Sequence, residues 1–164
     1  MLMKRRYPIA PTNRCRPGRH FTIYPDPDRL HFTVEVHIAH NVRRMREAMV
    51  HAGFHHLTPV DNSVAGQVIN RTHNPRGRLY NGHVVAHMFL NIADLHARPA
   101  ETVAHECGHA AMAWARYCKA DLTKMGGTVV WKRRKQEGEE LLCYAIGDLA
   151  KQVNRICHVL RIWG

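Results

Sequence analysis

The sequence predicts one α+β domain in which a small mixed β-sheet packs against two long helices. Three observations indicate this class. Segments with alternating or continuous apolar residues fill much of the first ninety positions, and two segments with helical periodicity follow them. The length of 164 residues suits a single core. We therefore expect a basic extended arm over residues 1–19 and one domain over residues 20–164.

Composition excludes several classes of protein. Hydrophobic residues make up 45% of the chain, which is too many for a disordered basic tail of net charge +11. The five cysteines are odd in number and form no C-x-x-C pair, so a disulfide scaffold or a four-cysteine zinc module is not expected. No signal-peptide pattern and no membrane-spanning apolar run is found. The expectation is a cytoplasmic protein without membrane contact.

The first half of the chain predicts strands around one helix. The arm has no acidic residue and is interrupted by prolines; residues 20–24 then predict a short strand. Residues 30–38 alternate and predict a strand buried on one face only. Asn41 is a suitable N-cap for a helix over residues 41–52 that Gly53 ends, with Val42, Met45, Met49 and Ala52 facing inward. Further strands are expected at residues 64–69 and 82–90, separated by a turn at residues 74–77.

The second half predicts two helices. One begins at Pro99, where a first helical turn tolerates proline, and extends to about Cys118. Gly126 and Gly127 break the chain, and residues 128–131 predict a short strand or ribbon. The last helix begins near Glu137 and carries a helical apolar pattern at Leu141, Leu142, Ile146, Leu149, Val153, Ile156 and Leu160.

The helix from Pro99 contains H-E-x-x-H at His105, Glu106 and His109. Residues four apart share a helix face, so the two histidines can present their imidazoles to one metal ion. Glu106 lies one position away, where its carboxylate can take a proton from water that the ion has acidified. With fourteen histidines and seven glutamates, about 0.05 such matches are expected by chance.

Other histidine pairs have the same spacing but lack the glutamate. They are His51 with His55 and His83 with His87, the second of which falls in a predicted strand. Inside the motif, the position of Cys107 turns it away from the two histidines and predicts a small core residue. Gly108 is expected to permit close helix packing.

A catalytic zinc takes three protein ligands and keeps an open position. The last helix offers the third ligand, and Glu139 and Glu140 are alternatives for it. We expect Glu140, because Tyr144 and Gly147 follow it on one side and a glycine there would let two helices approach. Tyr144 is a candidate oxyanion donor, and Asp148 is a candidate acceptor for the N–H of a ligand histidine.

His105-Glu106-x-x-His109, followed about thirty residues later by Glu140-x-x-x-Tyr144-x-x-Gly147, resembles the gluzincin type of zincin metallopeptidase. It is also similar to small H-E-x-x-H proteins of phages and bacteria. The resemblance covers roughly residues 82–150. It implies a zincin-like fold with a small mixed sheet on the active-site helix and a C-terminal ligand helix. It further implies one Zn²⁺ per chain, bound by His105, His109 and Glu140, with Glu106 as general base.

Two functions of different classes follow. The first is a zinc-dependent metallopeptidase whose peptide or protein substrate pairs with the strand at residues 82–90. The alternative is a metal-stabilised, non-catalytic binding protein of phage or bacterial origin that acts on a host protein or nucleic acid through its basic surface. Lysine and arginine clusters in the arm and at residues 132–135 can bind phosphates, but a solvated basic surface is favoured because no nucleic-acid-binding motif accompanies them. The sequence does not indicate an oligomeric state.

Overall fold

The computed structural model describes residues 19–26, 32–54, 66–70, 84–117, 128–131 and 134–162. The strands in these ranges are β1 Arg19–Ile23, β2 Thr33–Ala39, β3 Gly66–Asn70, β4 Val84–Asn91, β5 Thr128–Trp131 and β6 Arg134–Glu137. The helices are α1 Val42–His51, α2 Ile92–Ala97, α3 Pro99–Tyr117 and α4 Gly138–Val159. The α+β class is therefore confirmed.

Four strands form one mixed sheet in the order β1-β2-β4-β3. β2 and β4 are parallel, whereas β1 pairs with β2 and β3 pairs with β4 in antiparallel fashion. Every residue of β4 is buried between its two neighbours and the helices. The prediction that the strand at residues 82–90 offers its edge to a substrate is therefore wrong, because β2 and β3 use both sides of its backbone. In the described sheet, the edge strand beside β4 is β3.

Helices cover both faces of this sheet. On one face, Met45 and Met49 of α1 join Ile69 and Phe89 in a buried cluster. On the other face, residues of α3 and α4 pack on the remaining inward side chains of the sheet. The expectation that β2 is buried on one face only is wrong, because α1 also covers the face that carries His37, which is 8% exposed.

Helix α1 forms as its sequence predicts. The Asn41 side chain accepts a hydrogen bond from the Arg44 amide at 3.0 Å and so satisfies one of the free amides at the helix start. Val42, Met45 and Met49 are buried against the sheet. After the helix, Gly53 adopts a φ of 86°, a left-handed conformation that glycine reaches without steric cost.

Two short elements were not predicted from the sequence. One is strand β6, which pairs antiparallel with β5. The other is α2, whose start is capped by Asn91: the side chain accepts a hydrogen bond from the Ala93 amide at 3.1 Å. Thr102 of α3 donates its hydroxyl to Asp94 of α2 at 2.6 Å, and Arg98 contacts the same carboxylate at 2.9 Å. These contacts position the start of α3.

Several sequence expectations concern residues outside the described ranges. They are the arm over residues 1–18, the turn at residues 74–77, Gly126 and Gly127, and the basic residues Lys132 and Arg133. Arg19, the last residue of the predicted arm, pairs with Ile38 at the start of β1. Among the helices that are described, none combines the length and apolar character needed to cross a lipid bilayer.

Candidate active site

The two histidines of the H-E-x-x-H motif converge on the exposed side of α3. Nε2 of His105 lies 3.1 Å from Nε2 of His109, with the ring planes inclined at 84°. Burial and the neighbouring His105 lower the pKa of His109. Because a metal ligand must be a neutral imidazole, this shift favours the form that binds a cation.

Glu106 points the other way, into the protein. It is 4% exposed, and its Oε2 atom has no hydrogen-bond partner among the described residues. Burial raises the pKa of this carboxyl to about 7. A carboxyl with that pKa exchanges protons near neutral pH, which is the property that a general base requires. A buried, unpaired carboxylate oxygen also calls for a functional explanation.

Gly66 of the edge strand β3 lies directly against Glu106. A Cβ atom at position 66 would be 2.7 Å from Cγ of Glu106 and 2.9 Å from both Cδ and Oε1. The glycine therefore lets the β3 backbone approach the carboxylate as closely as it does. The strand was predicted from the sequence but the role of its glycine was not, although a glycine inside a strand is a signal of close approach.

A cleft of about 440 Å³ lies between β3 and α3. The residues that line it are Gly66, Gln67, Val68, His105, Glu106, His109, Met112, Ala113 and Arg116. The cleft thus contains all three motif residues that carry chemistry. Arg116 follows His109 by two helical turns and forms no ion pair within the described part of the chain.

The structure does not bring Glu140 into this cleft. The side chain is exposed and accepts a hydrogen bond from the Tyr144 hydroxyl at 3.3 Å. Tyr144 is 60% exposed, and neither it nor Asp148 lines the cleft. Across the described residues, no three or more His, Cys, Asp or Glu side chains form a group that could hold a metal. The side chain of Glu139 lies outside the described part of the structure.

Two predictions about glycine packing are wrong. A Cβ atom at Gly108 or at Gly147 would meet no heavy atom within 4 Å. Neither glycine is therefore needed for helices to approach, and Gly147 itself is exposed. The helix-register reason for preferring Glu140 over Glu139 loses its support from Gly147.

Two of the three described cysteines, Cys107 and Cys157, are buried in the core, and Cys143 is exposed. Cys107, Cys143 and Cys157 are free thiols. Cys107 is fully buried, and burial raises its pKa to about 12, so its thiol is protonated and inert at neutral pH. The prediction that Cys107 is a small core residue is confirmed.

A second group of titratable side chains lies on the α1 face of the sheet. Nε2 of His20 contacts Oε2 of Glu35, and the rings of His20 and His37 lie with their centroids 4.6 Å apart. His37 Nε2 in turn lies 3.2 Å from Nδ1 of His87. Sequence analysis missed this cluster because strand pairing, and not spacing along the chain, brings its members together: Glu35 of β2 is level with His87 of β4.

Burial keeps the inner members of this cluster neutral. It lowers the pKa of His37 well below the usual value, with further lowering by His20, His87 and His51. For His87, burial lowers the pKa from 6.5 to about 4, with Glu35 acting in the opposite direction and His20 in the same one. The unfolded chain therefore takes up protons before the folded one. The cluster's contribution to stability is present above pH 6.5 and is lost as the pH falls towards 4.

Comparisons with known protein families, with curated proteins and with solved structures find no match to this chain.

Proposed function

We propose that this protein is a zinc-dependent metallopeptidase whose site is the cleft between β3 and α3. One observation carries the proposal: two imidazole nitrogens converge at 3.1 Å, beside a buried carboxylate, in a cleft that an edge strand borders. The H-E-x-x-H spacing provides the same three groups, and the fold adds the cleft and the strand.

The donor set fits zinc at two positions. His105 and His109 would hold the ion through Nε2. For the third ligand we propose Glu140, with Glu139 as the alternative; because Glu140 lies outside the cleft and contacts Tyr144, its side chain would have to turn from Tyr144 towards the two imidazoles. When bound, zinc would polarise a substrate carbonyl and lower the pKa of water at its open position. The two imidazoles face solvent, so the ion has a direct route to them.

Glu106 would serve as the proton acceptor. Its buried, unpaired Oε2 can take a proton from water and return it to the leaving amine, because a carboxyl with a pKa of about 7 is stable in either form at neutral pH. Gly66 holds β3 close against the carboxylate and so limits its movement. An extended peptide added along the edge of β3, with which no other described strand pairs, would pass along the cleft.

The test joins metal analysis to proteolysis. We expect one zinc per chain in the purified protein and a loss of affinity by orders of magnitude for His105→Ala or His109→Ala. Glu106→Gln keeps the shape of the side chain but cannot accept the proton. It should therefore retain zinc and lose cleavage of a mixed protein substrate. A wild-type protein that takes up no transition metal would exclude the proposal.

The same variant separates the second candidate, a metal-stabilised binding protein. The observation that favours this candidate is the net charge of +11, because a basic surface attracts an anionic partner such as a nucleic acid. If Glu106→Gln and wild type are equally inactive in proteolysis but equally active in binding a host protein or nucleic acid, the scaffold is not used for catalysis.

A further inference from the structure

A small basic pocket lies apart from the cleft, where the parallel strands β2 and β4 end. Its volume is about 210 Å³. Its lining comes from β1, from the end of β2 and the residue after it, from α2 and from the segment after α4: Arg19, Ile38, His40, Ile92, His96, Leu160, Arg161 and Ile162. None of these residues lines the cleft that contains His105, so the pocket is a separate feature.

The polar groups of this pocket all have the chemistry of anion ligands. They are the guanidinium groups of Arg19 and Arg161 and the imidazoles of His40 and His96. No acidic side chain lines the pocket, and none of these four forms an ion pair within the described ranges. Residues 1–18, which precede Arg19, contain no acidic residue that would neutralise them. Several donors that contact no carboxylate among the described residues thus share one small cavity.

Arg161 occupies a position that normally favours glycine. The amide of Ile162 donates to the carbonyl of Cys157 at 2.8 Å, and the amide of Arg161 donates to the carbonyl of His158 at 3.0 Å. These two bonds form a Schellman motif that ends α4. Its left-handed position is taken by Arg161, with a φ of 53°, and it is the one non-glycine residue with positive φ in the described chain. An arginine there costs conformational energy that glycine would not.

We infer that this pocket binds the phosphate group of a small ligand, either free phosphate or a phosphomonoester. Arginine guanidinium groups match phosphate oxygens with paired N–H donors, and imidazoles add one donor each even when neutral. The volume is below the roughly 300 Å³ at which pockets for larger ligands begin, so it suits one phosphate with a short substituent. The apolar side chains of Ile38, Ile92 and Ile162 offer a surface for an aliphatic substituent.

A contribution of the Arg161 side chain to binding would explain why a non-glycine residue occupies this strained position, because strained backbone conformations cluster at functional sites. Substitution of Arg161 by glycine therefore separates the effect of the strained backbone on stability from the effect of the side chain on binding. Arg161→Gly should fold at least as well as wild type, with a melting temperature unchanged or raised by up to about 4 °C, and yet should bind phosphate less tightly.

The experiment titrates the full chain with inorganic phosphate and, separately, with ethyl phosphate, and follows backbone amide shifts by NMR. We expect shifts at Arg19, His40, His96 and Arg161 with both ligands. Arg19→Gln and Arg161→Gly should each raise the dissociation constant about tenfold, since each removes a charged donor. Arg155→Gln is the matched control: it removes one exposed arginine of α4 outside the pocket and should change the constant little.

Tighter binding of ethyl phosphate than of inorganic phosphate would identify a phosphomonoester as the ligand, and the reverse order would identify free phosphate; either supports the inference. Three results would overturn it. The first is the absence of amide shifts at the pocket, and the second is an equal loss for Arg155→Gln, which would indicate attraction by net charge alone. The third is a single-stranded oligonucleotide that binds there when neither small phosphate does.

Discussion

The contact between Gly66 and Glu106 makes the sharpest prediction for the candidate active site. In Gly66→Ala, the new methyl group would lie 2.7 Å from Cγ of Glu106. Non-bonded carbons prefer about 3.5–4.0 Å, so the overlap is about 1 Å. Two adjustments can relieve it: the carboxylate swings out of its buried position, or β3 moves away from α3. Both enlarge the distance between β3 and Glu106, the proposed proton acceptor.

Two opposing effects determine how Gly66→Ala changes the stability of the protein. Overpacking of a tight contact costs about 1–3 kcal/mol. Alanine in place of glycine returns about 0.4–1 kcal/mol by restricting the unfolded chain, and the backbone at position 66 has no positive φ that would oppose alanine. The difference between these ranges predicts that Gly66→Ala destabilises the protein by up to about 2.6 kcal/mol. A displacement of about 1 Å at a catalytic group lowers the rate by roughly a hundredfold. The rate of peptide cleavage should therefore fall by about this factor even if the variant stays folded.

The assay measures urea denaturation together with cleavage of a mixed peptide substrate. Gly147→Ala is the matched control, because a Cβ atom at Gly147 meets nothing within 4 Å. In the interior of α4 this change should stabilise the protein by about 0.5–1 kcal/mol and leave cleavage unchanged. If Gly66→Ala matches wild type in both stability and cleavage, the close approach of β3 to Glu106 does not hold in solution.

Three further predictions concern metal binding, specificity and pH. Glu140→Ala should weaken zinc binding by orders of magnitude and Glu139→Ala only slightly; a larger loss for Glu139→Ala in a zinc titration would reverse the assignment of the third ligand. We expect Arg116 to attract peptides that carry a carboxylate near the cleaved bond, so Arg116→Gln should lower kcat/KM for such peptides about tenfold relative to neutral ones. An unchanged preference in a peptide library would exclude this role of Arg116. In denaturation experiments between pH 6.5 and 4, the free energy of unfolding of wild type should decrease by up to about 3 kcal/mol as the pH falls, because the folded state protonates His87 less readily than the unfolded chain does. His87→Gln should flatten this loss, whereas His158→Gln, which replaces an exposed histidine of α4, should not; equal slopes in all three proteins would contradict the assignment.

Local patterns predicted most of the fold. The start of α1 was recognisable because the Asn41 side chain caps the first turn that directly follows it. The end was recognisable because Gly53 can take the positive φ that stops a helix. The positions of α3 and α4 followed from apolar periodicity over several turns. Helix α2 was missed because its six residues are too short for periodicity to detect, and only the Asn91 cap marks it.

Pairing between strands was the part that local patterns did not reveal. The continuous apolar run of β4 correctly predicted a buried strand, yet a run of this kind does not identify which strands lie beside it. The wrong choice of β4 as the substrate edge came from its position just before α3. Register also brings His37 and His87 together across β2 and β4, and an imidazole buried in this way looks in the sequence like a residue on a polar strand face.

In the candidate site, too, the part set by local sequence patterns was predictable and the part set by tertiary packing was not. Its α3 half was predictable, because His105, Glu106 and His109 have relative positions that helix geometry determines from spacing alone. Its β3 half was not, because Gly66 lies forty residues before Glu106 and reaches it only through pairing of β3 with β4, in which Gly66 is level with Leu90. The same distinction applies to the third ligand. The choice between Glu139 and Glu140 depends on how α4 is rotated against α3, which is a property of tertiary packing, so a helical stripe in the sequence cannot decide it. Zinc affinities of the two variants measure that rotation directly, because only a carboxylate that reaches the two imidazoles contributes to binding.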